Sequence, residues 1–396
     1  MKRLYGMMVL LLLTLQASAE KGEKALSKQE ARQCAETLKA AWKDSLQTAL
    51  LTAKDEMCLR LDSLTMPLHW ELIGDEPADG RSLFISLHGG GGAPKAVNDS
   101  QWQNQWLLYH PDHSVYLCPR APVDAWNMHF QTGFDEFYRR IIQMAVAFFN
   151  VNPNKVYLMG YSAGGDGVWR LGPRMADSWA AASMMAGHPG DVSLLNLRNT
   201  PFMIWCGELD AAYDRNKQCQ MRIEEMDSLH RADPQGYIFE GHIVKGKGHW
   251  MDLEDKAALT WMAQYQRNPY PTTIVWRQEE ELHRHFYWLS APADELARGK
   301  EVRLSIMPPK NSKPNKPAKP SNTIIIERCD YSQLTLSLND HLVDLDKSIK
   351  VVYRGKCIFK GKVKRTAALL RQTLYQRNDP SYMFPAQVHV NLHQQD

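Results

Sequence analysis

Short apolar runs alternate with longer amphipathic runs from about Met66 to Tyr265, and this is the strongest pattern in the chain. Short apolar runs bounded by turn residues predict buried strands, whereas apolar residues three and four positions apart predict helices. The predicted strands are MPLHWELIG, SLFISL, SVYLCPR, KVYLMG, AAASMMAG, PFMIWCG and YIFEGHIV. The predicted helices are DEFYRRIIQMAVAFFN, GGDGVWRLGPRM, QCQMRIEEMDSLH and DKAALTWMAQY. This alternation indicates an α/β fold with a doubly wound, mostly parallel sheet.

The pattern changes on both sides of this central region. Residues 20–64 are rich in Ala, Leu and Lys with apolar residues at helical spacing, which predicts an N-terminal helical segment. Residues 270–396 carry mostly short alternating runs and one clear helical run, which predicts a smaller, mostly-β C-terminal domain. The α/β domain is therefore expected to occupy residues 65–269, and the chain is long enough for both units.

The first residues have the features of an export signal. Two basic residues precede an apolar run at 7–15, and the small residues ASA follow at 17–19. The apolar run is far shorter than the roughly 20 residues that span a bilayer, which argues against the alternative of an uncleaved anchor. We therefore expect a signal peptide at 1–19, cleavage before Glu20, no stable membrane span, and a periplasmic or extracellular protein.

Composition narrows the partners. The chain has 47 Lys and Arg against 44 Asp and Glu, a net charge of +3, which favours no nucleic-acid or other polyanion partner. Seven cysteines at irregular spacing indicate neither a disulfide framework nor a zinc site, although Cys34 and Cys58 lie in the same helical segment and are candidates for a pair. The fourteen histidines are scattered without an H-E-x-x-H motif, so no metal and no cofactor are expected.

A Pro/Lys-rich loop at 308–321 interrupts the C-terminal domain. Its lysines recur every third residue, and they are Lys310, Lys313, Lys316 and Lys319. In a polyproline II conformation they share one edge, about 9 Å apart. One interpretation is a basic stripe for polysaccharide contact through this domain, and the alternative is a solvated, semi-rigid loop.

The run KVYLMGYSAGGDGVW places a serine where a predicted strand meets a predicted helix. Gly160 and Gly164 flank Ser162 at the spacing of a nucleophile elbow, in which the tight turn leaves no room for larger residues. The pattern alone also fits a glycine turn that happens to contain a serine. Its neighbours along the chain therefore decide the interpretation.

A glycine run, HGGGG at 88–92, directly follows an apolar strand. Glycines there let the backbone turn its N–H groups toward a ligand. The amides of Gly89 and Gly90, together with that of Ala163 after the serine, are the predicted oxyanion hole. The alternative is an ordinary flexible turn.

An acid and a base follow in order. Asp210 comes just after the predicted strand PFMIWCG, where the ligand-facing loops of a parallel sheet lie, and Glu208 and Asp214 compete with it in the same loop. His249 follows the next strand on the loop KGKGHW, whereas His242 lies within the strand pattern and is expected to be half-buried. The preferred order is serine, aspartate, histidine.

The motifs HGGGG, GYSAGG, GELD and GKGHW, in this order, resemble the α/β-hydrolase superfamily. The resemblance covers about residues 66–265 and is strongest to exported esterases of the phospholipase/carboxylesterase, feruloyl-esterase and dienelactone-hydrolase kind. It implies a carboxylic ester substrate, either small or attached to a polymer. It also implies a triad of Ser162, Asp210 and His249.

Four further side chains are expected to contact the substrate because they lie in loops at strand ends. They are His88, Tyr161, Trp126 and His188. For Trp126 and His188 the alternative is ordinary loop packing. Asp166, one helical turn after the serine, is expected to be a helix-surface or supporting group.

Two other functions remain open from the sequence. A peptidase on the same fold would use the same triad, although no paired acidic motif for a peptide amine is evident. The other is a polysaccharide-binding or surface-binding protein that uses a hydrolase scaffold.

Overall fold

The computed structural model describes residues 24–308 and 321–392. The predicted signal peptide and the four lysines of the Pro/Lys-rich loop lie outside the described residues. The export and polysaccharide hypotheses that depend on them therefore stay predictions.

An eight-stranded sheet forms the centre of the molecule. Its strands are β1 (Cys58–Leu61), β2 (Leu64–Ile73), β3 (Arg81–Leu87), β4 (Ser114–Pro119), β5 (Val151–Tyr161), β6 (Ala181–Met185), β7 (Phe202–Gly207) and β8 (Phe239–Val244). The order across the sheet is β1-β2-β4-β3-β5-β6-β7-β8. β2 runs antiparallel to both of its neighbours, and all pairs from β4 to β8 are parallel. This strand order defines an α/β-hydrolase fold, which confirms the predicted fold class.

Helices cover both faces of this sheet. They are α1 (Lys28–Asp55), α2 (Lys95–Trp106), α3 (Asp135–Phe148), α4 (Ala163–Arg174), α5 (Arg215–Ala232) and α6 (Ala257–Met262). Alternate residues of β5 enter two different cores: Val156 and Leu158 pack with α1, α3 and α4, whereas Tyr157 and Met159 pack on the side of α6. The central strands are buried on both faces, which explains their nearly continuous apolar sequence.

The N-terminal segment differs from its prediction. α1 ends at Asp55, and Cys58–Leu61 is an edge strand of the central sheet rather than helix. Ser27 and Glu30 form a capping box at the start of α1, which satisfies two of its free backbone N–H groups. α2 was not predicted at all, because the residues that it buries are the polar Asn98 and Gln105 rather than an apolar stripe.

The candidate pairing of Cys34 with Cys58 is wrong, because all seven cysteines are free thiols. Cys34 lies in the second turn of α1, and Cys58 follows the end of that helix. At 1.5 Å of rise per residue the two are about 30 Å apart along the helix axis. A disulfide needs Cα atoms within roughly 7 Å of each other.

The C-terminal domain contains two sheets around its own core. One sheet has the order β10-β11-β14-β17 and is antiparallel throughout, and the other has the order β16-β15-β13-β12-β9. The strands are β9 (Thr273–Arg277), β10 (His285–Phe286), β11 (Leu289–Ser290), β12 (Glu301–Ile306), β13 (Thr323–Cys329), β14 (Gln333–Leu338), β15 (Ile349–Tyr353), β16 (Lys356–Gly361) and β17 (Ala386–Asn391). The smaller β domain of the predicted fold class is therefore present.

The two domains interlock through the last helix, α7 (Ala367–Arg377). Leu370 and Leu374 of this helix belong to the core of the α/β domain, beside α1. No helix in the described part of the chain combines the length and the apolarity needed to cross a membrane. Within the same residues, no group of three or more His, Cys, Asp or Glu side chains is arranged to hold a metal.

Candidate active site

Ser162 lies on a strained turn between β5 and α4. Its backbone angles are φ 57° and ψ −119°, a conformation that non-glycine residues rarely adopt outside such constrained sites. A Cβ atom added to Gly160 would lie 2.5 Å from the carbonyl oxygen of Gly164, and one added to Gly164 would lie 2.1 Å from that of Leu87. Both neighbours must therefore be glycine, and the turn has the geometry of a nucleophile elbow.

His249 bridges the serine and an aspartate. Its Nε2 atom lies 2.9 Å from Ser162 Oγ, and its Nδ1 atom lies 2.7 Å from Asp210 Oδ2. The Asp210 carboxylate is buried, and its other oxygen lies 3.3 Å from Nη1 of Arg215. A carboxylate on Nδ1 keeps the proton there, which leaves Nε2 free to accept the serine proton.

The rivals for the acid and the base lie elsewhere. Glu208 accepts the Gly246 N–H on the surface, and Asp214 is exposed and paired with Lys217 at 2.8 Å. His242 lies within β8, half-buried, with its ring stacked on Trp205 at 4.0 Å between centroids. The structure thus brings together Ser162, Asp210 and His249 and leaves these other candidates apart.

The predicted oxyanion groups face this serine. A Cβ atom on Gly89 would lie 3.4 Å from Ser162 Cβ, and Ala163 is the first residue of α4. The backbone N–H groups of Gly89, Gly90 and Ala163 have no hydrogen-bond partner among the described residues. Free amides beside a nucleophile, one of them at a helix N-terminus, are suited to stabilise developing negative charge.

Asn98 of α2 holds the glycine loop in place through side-chain hydrogen bonds, and this role was not predicted from the sequence. Its side-chain oxygen accepts the Gly91 N–H at 3.0 Å, and its side-chain nitrogen donates to the Gly91 carbonyl at 3.0 Å and to Asp124 at 2.8 Å. Gly90 has a φ of +111°, and a Cβ atom there would lie 2.1 Å from Asn98 Oδ1. The loop shape therefore depends on a buried side-chain amide that hydrogen-bonds both the N–H and the carbonyl of Gly91.

Replacing Asn98 by alanine should lower kcat/KM for an activated ester by about 10- to 100-fold, because a loosened loop moves the oxyanion donors by a fraction of an ångström or more. Steady-state kinetics with p-nitrophenyl acetate measures this loss. Gln103→Ala, an exposed change on the same helix, is the matched control and should leave kcat/KM unchanged. A folded Asn98→Ala protein with full activity would show that the loop keeps its shape without the amide.

His88 does not fit its predicted role as a substrate contact, because its side chain is fully buried. Its Nε2 atom accepts the Ala121 N–H at 3.1 Å, so Nδ1 carries the proton and donates to the Gly89 carbonyl at 2.7 Å. Burial, with the nearby His129 and Arg120, holds the pKa of His88 well below its ordinary value. The neutral ring anchors Gly89 from beneath the loop.

A cavity of about 620 Å³ opens beside Ser162. Its apolar wall is formed by Val97, Leu107, Leu108 and Trp250, and the polar Gln101 and Asn104 also line it. Tyr161 lines the cavity, and its hydroxyl donates to the His249 carbonyl at 2.6 Å and accepts the Met251 N–H at 3.1 Å. Tyr161 therefore also holds the loop that carries the histidine.

Trp126 and His188 lie near the site but do not line this cavity. Trp126 is 66% exposed, contacts Phe130 edge to face at 5.5 Å, and lies beside the glycine loop. His188 lies after β6, where its Nδ1 accepts the Gly190 N–H at 3.0 Å. Burial and the neighbouring Arg215 lower the pKa of His188. Whether either side chain contacts substrate stays a prediction.

Asp166 is half-buried one turn after the serine, and it accepts the His188 N–H at 2.6 Å. Burial raises its pKa to about 6, although the His188 N–H and the positive charge of Arg215 act in the opposite direction. The folded protein therefore holds this proton up to about pH 6, whereas the unfolded chain loses it near pH 3.9. The contribution of Asp166 to the free energy of unfolding therefore falls as the pH rises from about 4 to about 6.

Asp166→Asn should consequently stabilise the protein at pH 8 by at most about 3 kcal/mol and change it little at pH 4, where the carboxyl is already neutral in the folded state. Urea unfolding at the two pH values measures the difference. Asp44→Asn, an exposed change on α1, serves as the control. Equal effects of Asp166→Asn at both pH values would contradict a raised pKa.

The solved structures that resemble this chain cover about half of it. No protein-family model matches the chain, and no curated protein matches it. A thermostable esterase structure shares 19% identity over 53% of this chain and 62% of its own, with a TM-score of 0.41. A ferulic acid esterase structure shares 16% identity over 52% of this chain and 95% of its own, with a TM-score of 0.37. FphF, a fluorophosphonate-binding serine hydrolase of Staphylococcus aureus, shares 15% identity over 52% of this chain and 96% of its own, with a TM-score of 0.34.

The chain spans less than two thirds of the thermostable esterase that it matches. With TM-scores below 0.5, the fold assignment rests on the strand order and the strained elbow of this chain itself. By those two features the protein has the α/β-hydrolase fold.

Proposed function

We propose that this protein is a serine hydrolase that cleaves carboxylic esters through an acyl-enzyme. The observation that supports the proposal most is the bridging position of His249, 2.9 Å from the serine hydroxyl and 2.7 Å from a buried carboxylate. A serine hydroxyl is a weak nucleophile unless a base lies within hydrogen-bond reach, and here one does.

In the acylation step, Ser162 Oγ attacks the ester carbonyl carbon while His249 Nε2 takes the hydroxyl proton. The carbonyl oxygen gains the negative charge and accepts hydrogen bonds from the amides of Gly89 or Gly90 and of Ala163. The intermediate then collapses: the bond to the alkoxy oxygen breaks, and Nε2–H of His249 gives its proton to the departing alcohol.

In the deacylation step, water attacks the acyl carbon and His249 Nε2 takes one proton from it. Collapse of the second intermediate releases the carboxylic acid and returns the proton to Ser162 Oγ. Asp210 accepts the Nδ1–H bond throughout and stabilises the imidazolium that forms twice per cycle. Arg215 contacts the second oxygen of Asp210, which helps to hold this buried carboxylate in its orientation toward His249.

An ester fits the cavity better than a peptide with a free amino terminus. The cavity wall is apolar on the α2 side, and no carboxylate lines it among the described residues. A peptidase that binds a terminal ammonium needs such a negative group. The peptidase alternative therefore has less support than ester hydrolysis. A panel of ester and amide substrates can separate the two activities.

A fluorophosphonate probe and a substrate panel test the proposal. The wild-type protein should label, and Ser162→Ala should not. Turnover of p-nitrophenyl acyl esters should exceed turnover of aminoacyl p-nitroanilides. Failure of the folded wild-type protein to label would reject the nucleophile, and faster anilide turnover would favour a peptidase.

A further inference from the structure

A second cavity, of about 290 Å³, lies between the α/β domain and the C-terminal β domain, away from Ser162. Its walls come from α1 and α3 on one side, and from the segment 282–285 and the end of α7 on the other. None of these elements takes part in the proposed reaction. The cavity thus needs an explanation of its own.

Arginine is the commonest residue of its lining, and three of the five arginines have carboxylate partners. Arg174 is buried against Asp135, with Nε at 3.0 Å from Oδ1. Arg267 pairs with Asp379 at 2.7 Å. Arg377 of α7 pairs with Asp177 of the α/β domain. The Arg267 and Arg377 pairs tie the two domains together. Arg174 and Asp135 both belong to the α/β domain, and Arg174 reaches the C-terminal domain through Glu280 at 3.2 Å.

The other two arginines, Arg139 and Arg284, have no carboxylate partner among the described residues. Arg139 donates from Nη2 to His283 Nδ1 at 3.0 Å, and His283 Nε2 lies 2.9 Å from Asp135. The Nδ1 atom of His283 therefore accepts this hydrogen bond, and its Nε2–H donates to Asp135. The lining holds five arginines against the three carboxylates of Glu136, Asp177 and Asp379, and Glu136 pairs with Arg140 at 3.1 Å. Arg139 on the α3 wall and Arg284 on the opposite wall are thus left without a carboxylate in direct contact among the described residues.

His285 is another residue of the cavity lining, and the positive charges of the arginines act on it. Burial, followed by the charges of Arg377, Arg284 and Arg139, lowers the pKa of this cavity histidine to about 3. Its Nδ1 lies 2.7 Å from Ser290 Oγ. Positive charges that line one small cavity repel each other, and an anion bound between them relieves this repulsion.

We propose that this interdomain cavity binds a small molecule that carries an oxyanion group, held by Arg139 and Arg284. The planar guanidinium fork donates two parallel hydrogen bonds to a carboxylate, phosphate or sulfate, and two such groups on facing walls of one small cavity suit an anion bound between them. The volume lies at the lower end of the range for ligand pockets, which suits a sugar acid or an inorganic oxyanion rather than a polymer segment.

Isothermal titration calorimetry on the full-length protein tests this site. Sodium phosphate, sodium sulfate and sodium glucuronate are titrated separately, with sodium chloride at matched ionic strength and neutral glucose as references. We expect saturable binding of at least one oxyanion and of neither reference. Phosphate or sulfate binding identifies a tetrahedral oxyanion as the ligand chemistry, whereas glucuronate binding alone identifies a carboxylate on a sugar.

Arg139→Gln and Arg284→Gln should each weaken binding by about 10- to 100-fold, because each removes charge-assisted hydrogen bonds. Arg371→Gln, an exposed change on α7, removes the same charge outside the cavity and should bind as the wild type does. Ser162→Ala should also bind normally, so the site stands independently of the proposed reaction.

Binding of the same oxyanion should raise Tm by about 2 to 5 °C at a hundredfold excess over Kd, and this rise should disappear in the two cavity variants. If Arg139→Gln fails to fold, Arg284→Gln alone decides, since Arg284 is exposed. The absence of saturable binding for all three oxyanions at about 20 mM, or equal binding by the cavity variants, would overturn the proposal.

Discussion

Ser162→Ala should lower kcat/KM for an activated ester by about 10⁴- to 10⁶-fold and leave Tm within about 2 °C of the wild type. The Oγ atom is the group that forms the covalent intermediate, and the alanine keeps the backbone of the elbow. His249→Ala should cause a loss of similar size. The double variant should lose at most a few-fold more, because His249 has no hydroxyl proton to accept once Oγ is absent.

Asp210→Asn tests the third member of the triad. Its amide can donate to Nδ1, which moves the His249 proton to Nε2 and removes the base that faces the serine, so a loss of about 10⁴-fold is expected. Ser183→Ala is the matched control: Ser183 lies in β6, its buried hydroxyl has no hydrogen-bond partner within residues 24–308 and 321–392, and its removal should leave kcat/KM unchanged. For the Ser162→Ala and His249→Ala double variant described above, a loss equal to the product of the two single losses would show that the two residues act separately.

The sequence predicted the central fold, and the approach of Ser162, Asp210 and His249 to one another, because both follow from the positions of strands. The apolar runs matched β2 to β8 closely, since strands buried on both faces must be apolar along their whole length. Each catalytic candidate directly follows such a run. The carboxyl ends of parallel strands meet at one edge of a sheet, so the order of motifs was enough to predict that Ser162, Asp210 and His249 come together.

The supporting residues were not predictable in the same way. α2 buries Asn98 and Gln105, so it lacks the apolar period by which a helix is recognised. His88 follows β3 directly, as a substrate contact would, but its ring turns beneath the loop, and the sequence does not encode the direction of a side chain in a loop. The packing of α7 on α1 joins residues more than 300 positions apart, and no local pattern reports such a contact.

Gly164→Ala should destabilise the protein by about 3 kcal/mol or more and abolish fluorophosphonate labelling. The added Cβ would lie 2.1 Å from the Leu87 carbonyl oxygen, 2.5 Å from the Leu87 carbonyl carbon and 3.0 Å from the His88 carbonyl oxygen. All three are backbone atoms, so no side-chain rotation relieves the overlap.

Relief requires that β3 and the elbow move apart, and the strand end that moves carries Gly89 and Gly90 of the oxyanion loop. Activity should therefore fall even at temperatures where the variant stays folded, which separates this effect from stability alone. Urea unfolding gives the free-energy change, and labelling at 10 °C gives the activity of the folded fraction. Gly361→Ala, whose Cβ would meet only the Phe359 ring at 3.4 Å, is the control and should be nearly neutral. A stable and fully reactive Gly164→Ala protein would mean that the close approach of α4 to β3 is not what positions the nucleophile against its oxyanion donors.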